Sequence, residues 1–130
     1  MAIQKIEVMF KDGFKGEMTA KKAKAAVGGG EGLLAPYDML LGALATCLYS
    51  TFLDVIEKKR ITFDKANVIV TGEKRESIPM TLKWVNVVIE IQNASNEKGV
   101  NKAAELAAKY CSVYQTISKV AEMSLKVDFT

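Results

Sequence analysis

Two cysteines, Cys47 and Cys111, are the residues of this chain best equipped for chemistry. A thiolate is a strong nucleophile, and its reactivity is set by its pKa. If two such sulfurs meet, one can attack an oxidant and the other can resolve the product as a disulfide. The rival reading makes each a small hydrophobe, because free cysteine is among the most buried residue types. Separation in sequence does not decide between the two; spacing in three dimensions does. The sequence has no histidine. That excludes Ser-His-Asp and Cys-His catalysis and any site that needs imidazole as base or ligand. It also argues against a structural zinc, and no metal or organic cofactor is expected. General acid–base work would fall to Asp, Glu, Lys, Tyr or Cys.

Cys47 lies within a run that reads as a long helix, from Pro36 to about Arg60. Pro36 suits the first helical position, where its missing N–H costs nothing. Asp38 falls in the first turn, where a carboxylate favours the positive end of the helix dipole. From Met39 to Phe52 nearly every face is apolar or small, which predicts a helix surrounded by protein. Gly42, Ala43, Ala45 and Thr46 let another backbone come close. Cys47 sits several turns in, so the dipole does not lower its pKa and burial raises it. A reactive thiolate here therefore calls for a cation from elsewhere, an arginine or a lysine. Ser50 and Thr51 share its face and supply no charge.

The other segments must position this helix. Ala2 to Phe10 alternates, with Ile6, Val8 and Phe10 on one face, and predicts a half-buried strand. Asp12-Gly13 predicts a type I′ hairpin turn with both residues at positive φ. Phe14 to Ala20 and about Lys22 to Val27 complete a meander. The glycines from Gly28 to Gly32 precede the helix, but no Gly-Lys-Ser/Thr follows and the dinucleotide spacing is absent, so the stretch reads as a loop. Asp64 to Gly72 and Thr81 to Gln92 predict two strands. The second carries Val85, Val87, Ile89 and Ile91 on one face, with Leu82, Trp84, Asn86 and Glu90 on the other. Val100, Ala103, Ala104, Ala107, Tyr110 and Cys111 recur at helical spacing, so Cys111 continues an apolar stripe. Ser112 to Val120 predicts a short helix, with Val113, Ile117 and Val120 on one side. Ser124 to Phe129 closes with a strand. Partly segregated strands and helices imply an α+β fold with mainly antiparallel sheet.

Length and composition predict one domain over residues 1–130. The formal charge of +3 is spread along the chain and leaves no nucleic-acid footprint. The N-terminus opens on a strand pattern, so no signal peptide is expected. Met39 to Leu53 reads as too short and too interrupted to span a membrane. The expected compartment is the cytoplasm, where a cysteine pair is more often catalytic or redox-active than structural.

Two motifs carry a resemblance. The run Pro36-Tyr37-Asp38-Met39-Leu40-Leu41-Gly42-Ala43-Leu44-Ala45-Thr46-Cys47 resembles the cysteine helix of the OsmC/Ohr family of organic hydroperoxide reductases. Cys111-Ser112-Val113-Tyr114-Gln115-Thr116-Ile117 resembles that family's second cysteine motif. The resemblance implies an OsmC-like fold, with antiparallel sheets packed around a long buried central helix in an intertwined homodimer. It implies that Cys47 is the peroxidatic thiol, that Cys111 resolves it as an intramolecular disulfide, and that a dithiol reductant restores both. It implies an organic hydroperoxide as substrate, favoured by apolar neighbours such as Leu40, Leu44 and Phe52. In the family an arginine from the N-terminal strands stabilises the thiolate and is held by an acidic residue, here matched by Asp38. This sequence has no arginine before Arg60 and offers Lys15, Lys21, Lys22 and Lys24 instead. Lysine lacks the planar fork of arginine. That departure sustains an alternative reading, a non-catalytic dimer of the same fold that binds a small apolar ligand at its interface.

Overall fold

A computed structural model describes residues 3–130. The order is β1 (Glu7–Phe10), β2 (Lys15–Thr19), β3 (Lys24–Gly28), α1 (Pro36–Lys58), β4 (Lys65–Lys74), β5 (Leu82–Gln92), α2 (Glu97–Tyr110), α3 (Ser112–Ser118) and β6 (Glu122–Phe129). The chain forms two compact units, one running through Leu40 and the other spanning Leu41–Thr130.

In the first unit β1, β2 and β3 form the expected antiparallel meander, paired Val8 with Met18 and Met18 with Ala25. The predicted first strand is shortened to Glu7–Phe10, and Ala2 lies outside the described residues. Its side chains are exposed rather than half-buried; Phe10 keeps half of its surface open and stacks on Phe14. The turn is not type I′, because Gly13 alone adopts positive φ (62°) and four residues separate the strands. The glycine stretch is a closed loop. Gly28 N–H donates to the Leu34 carbonyl and Leu34 N–H to the Ala26 carbonyl, at 3.0 Å each. Gly28 has φ of 145°, and a Cβ there would lie 2.2 Å from the Phe14 carbonyl oxygen, so only glycine fits. Helix α1 opens with a capping interaction in which the Asp38 carboxylate accepts the Ala35 N–H at 2.8 Å.

In the second unit β5 is the central strand. It pairs antiparallel with β4 and parallel with β6. The parallel pair requires a crossover, which α2 and α3 supply. Val85, Val87, Ile89 and Ile91 are buried as their alternation predicts. Leu82 is buried with them, not on the opposite face. Glu73 faces Trp84 while Lys74 faces Leu82, so Lys83 is an extra residue that reverses the alternation. On α2 the stripe Val100, Ala103, Ala104 and Ala107 is buried, and Asn96 caps the helix by accepting the Gly99 N–H. Tyr110, expected on that stripe, is 65% exposed. On α3 the buried residues are Tyr114 and Ile117, whereas Val120 lies beyond the helix end and is half exposed.

Helix α1 buries one stripe, Leu44, Leu48, Phe52 and Ile56, at fourfold spacing. The single chain leaves its other faces half-covered or open. Phe52 lies between the rings of Tyr49 and Phe63, with centroids at 6.0 Å and 6.4 Å. The helix ends in a Schellman motif around Arg60, which adopts φ of 56°. Ile61 N–H reaches the Ile56 carbonyl and Arg60 N–H reaches Glu57, and both isoleucines are buried. Contrary to the reading from sequence, α1 is long and apolar enough to cross a membrane, with mean hydropathy 1.7 in its richest window. Length and composition do not separate such a span from a core helix. Four of its side chains are enclosed, and 22% of that window is buried within the chain.

Phe52→Ala removes a fully enclosed ring, so it should destabilise the protein by about 3–5 kcal/mol. Asn96→Ala should cost about 1 kcal/mol through loss of the α2 cap. Chemical denaturation followed by circular dichroism measures both.

Candidate active site

The site is built where α2 stops. Cys111 does not continue the α2 stripe, as its spacing predicted. Its backbone is extended, with φ of −70° and ψ of 117°, and it closes α2 while opening α3. Its N–H still donates to the Ala107 carbonyl at 2.8 Å, and its carbonyl accepts the Gln115 N–H at 3.0 Å. The Gln115 side chain fastens the joint by donating to the Ala108 carbonyl at 2.9 Å, one of the acceptors that the end of α2 leaves free.

The break exposes the first N–H groups of α3, and sulfur takes them. The Cys111 Sγ accepts the Tyr114 N–H at 3.4 Å, acting as the N-cap side chain. The Cys47 thiol, brought in from α1, comes close to this turn, where the Val113 and Ser112 N–H groups and the side chains of Cys111 and Ser112 favour its charged form. The two thiols are near enough to alter each other's ionisation. Both are free, Cys111 fully buried and Cys47 half-buried. Thr51 steadies the Cys47 turn by donating to the Cys47 carbonyl at 3.1 Å.

These contacts split the two thiols. The Val113 N–H holds Cys47 below the ordinary cysteine value against the opposing effect of burial, and the donors on Cys111 and Ser112 add to it. Burial pushes Cys111 up, and the neighbouring Cys47 charge reinforces that. Of the two, Cys47 therefore ionises the more readily, and Cys111 is the one that keeps its proton longer. The arrangement suits nucleophilic attack by Cys47 followed by attack of Cys111 on it.

The structure thus brings Cys47 and Cys111 together. Asp38 belongs to the first unit, where its carboxylate holds the cap of α1. Lys24, one of the lysines offered in place of the arginine, pairs there with Glu17 at 3.6 Å on the surface. Arg75 is engaged elsewhere, donating to the Thr81 hydroxyl and to the carbonyls of Leu82 and Val120. The reading from sequence required a cation beside Cys47. Within this chain the largest influence lowering its pKa is the Val113 N–H, opposed by burial and followed by the side chains of Cys111 and Ser112. Ser112 and Val113 were missed as site residues. The signal was present, since a helical stripe that stops at a cysteine and restarts at Ser112 marks a helix start.

Iodoacetamide should label Cys47 before Cys111 in the native protein near pH 7. The Cys47 rate should rise with pH at a lower midpoint than that of Cys111, because the pKa of Cys47 is lowered and that of Cys111 raised. It should fall as the pH drops through that lowered pKa. Equal labelling of both thiols, followed by peptide mass spectrometry, would contradict the split.

The sequence pattern of the family described as OsmC-like protein matches residues 28–126. A curated relative from Mycoplasma pneumoniae, named hydroperoxide reductase, is 27% identical over 99 residues, which cover 73% of this chain and 70% of that protein. A crystal structure of an OsmC-like protein from the same organism superposes with a TM-score of 0.88 at 19% identity, covering 99% of this chain and 98% of that one. The organic hydroperoxide resistance protein OhrB of Bacillus subtilis superposes with a TM-score of 0.70 at 16% identity, covering 98% and 100%. The α+β arrangement of two small sheets and a long helix is the one these structures share. With three quarters of its length matched, the two cysteine motifs included, this chain belongs to the OsmC-like protein family.

Proposed function

We propose that this protein is a thiol-dependent peroxidase that reduces organic hydroperoxides. The observation that carries the reading is the nearness of the Cys47 and Cys111 thiols, with the lowered pKa on the more accessible sulfur. The names of the hydroperoxide reductase and of OhrB, which belong to similar proteins, agree with it.

The chemistry balances with these two residues. The Cys47 thiolate attacks the terminal oxygen of the hydroperoxide. The O–O bond breaks, Cys47 becomes a sulfenic acid, and the alkoxide takes a proton to leave as an alcohol. Cys111 then attacks the Cys47 sulfur. The S–O bond breaks, its proton leaves with the hydroxide as water, and a disulfide forms. An external dithiol reduces that disulfide, supplying two electrons and two protons, and is itself oxidised to a disulfide. No cofactor enters the sequence. A cytoplasmic location, where dithiol reductants are maintained, suits this cycle.

The reading includes a homodimer. Along Leu41–Thr130 an apolar groove of about 420 Å³ is lined by Ala45, Tyr49, Leu53 and Val68, on the side of α1 that the single chain leaves open. A second copy is the occupant that would complete the burial of an otherwise apolar helix. A non-catalytic dimer binding a small apolar ligand is the rival that the same groove supports. It requires two unreactive thiols and a ligand-dependent rise in melting temperature.

Reduced protein with dithiothreitol should consume cumene hydroperoxide. Cys47→Ser should abolish this. Cys111→Ser should stop after one turnover, with Cys47 as a sulfenic or overoxidised acid detectable by mass. Unreacted thiols in the wild type would overturn the peroxidase. Light scattering should give twice the mass of one chain, and a monomer would remove the dimer.

A further inference from the structure

Resting on the peroxidatic reading of Cys47, we propose that Gln115 is a positioning residue for the resolving step. Its side chain locks the break between α2 and α3 and so holds the Cys111 sulfur in place for attack on the Cys47 sulfenic acid. Gln115 Nε2 donates to the Ala108 carbonyl at 2.9 Å, a bond that spans the break itself. That carbonyl decides between two forms of the chain. In a continuous helix it would accept the Ser112 N–H. With Cys111 extended at ψ of 117°, the chain leaves the helical path before Ser112 and vacates the acceptor. The Gln115 amide fills it, so an acceptor that would draw the chain straight is satisfied in the broken form. Gln115 also grips the break through its backbone, its N–H donating to the Cys111 carbonyl at 3.0 Å.

The position of Cys111 depends on that break. Its side chain is fully enclosed, and its Sγ accepts the Tyr114 N–H at 3.4 Å. An enclosed thiol on so short a stem goes where its backbone goes, and a disulfide needs Cβ atoms about 3.5–4.5 Å apart. In the resolving step Cys111 attacks the Cys47 sulfur, the S–S bond forms and the S–O bond breaks. Hydroxide leaves as water with the Cys111 proton. A small change in the angle between α2 and α3 therefore slows resolution. Gln115 is half-buried and lies outside the buried pair of α3, Tyr114 and Ile117, so its influence runs through the hydrogen bond and not through core packing.

The test compares wild type with Gln115→Met, which keeps a long unbranched side chain and helix preference but donates nothing, and Gln115→Glu, which sets a carboxylate against the Ala108 carbonyl. The reduced proteins receive cumene hydroperoxide over a range of concentrations. Intact mass separates the Cys47–Cys111 disulfide from the Cys47 sulfinic acid that a second hydroperoxide makes from unresolved sulfenic acid. This partition does not depend on how fast the sulfenic acid forms, and a loss of fold stability alone does not move it. The ratio of sulfinic acid to disulfide should rise about three- to tenfold in Gln115→Met at equal peroxide, and further in Gln115→Glu. An unchanged ratio in the folded variants overturns the proposal, whatever their melting temperatures. Equilibration with reduced and oxidised glutathione keeps the test independent of the peroxide. In a wild type inert to cumene hydroperoxide the peroxidase reading falls. A disulfide weakened in both variants against glutathione then still upholds the positioning of Cys111, and one of wild-type strength overturns it.

Discussion

The site depends on a break in hydrogen bonding. A continuous helix from Glu97 to Ser118 would spend every backbone N–H around Cys111 on carbonyls one turn earlier. The extended backbone of Cys111 interrupts that ladder, and the first N–H groups of α3 are left without intrahelical partners. Two of them turn to sulfur, Tyr114 to Cys111 and Val113 to Cys47. The same interruption buries Cys111 completely while Cys47 keeps part of its surface. One sulfur thus gains donors and retains water, and the other loses water. The difference lowers the pKa of Cys47 and raises that of Cys111.

The surrounding fold serves to hold this break in place. The parallel pairing of β5 with β6 sets the two ends of the crossover, so that α2 and α3 lie between fixed strands. The apolar stripe of α2 lies along β6. Beyond α3, the Val120 carbonyl is held by Arg75 from the end of β4, which ties the crossover to the hairpin beside it. Gln115 closes the other side on Ala108. An arginine that could have supplied charge to a thiolate is used here as a brace.

Much of this was legible in the sequence where a period was long and clean. The alternation of β5 placed Val85, Val87, Ile89 and Ile91 in the core, the stripe of α2 held as far as Ala107, and the run from Pro36 placed α1 to within two residues of its end. Reading failed where one residue changed the rule. The extra residue Lys83 moved Leu82 to the inner face, and Arg60 took a left-handed conformation that glycine usually fills. The two thiols were legible as a pair by type and motif. What held the charge was not, because backbone donors carry no signature in composition. A search for a cation looks at side chains, and the largest influence lowering the Cys47 pKa is the backbone N–H of Val113.

The crossover has one more consequence. Cys47 lies on α1, and the donors that make it reactive arrive only after β4 and β5, at the start of α3. Until β6 docks beside β5, nothing holds α3 against α1, and Cys47 is a thiol of ordinary strength. The acidity of the sulfur is thus a property of the finished tertiary structure and not of the helix that bears it. A nascent or partly unfolded chain carries the same two cysteines without their chemistry. The ionisation of Cys47 therefore depends on a contact between distant parts of the sequence.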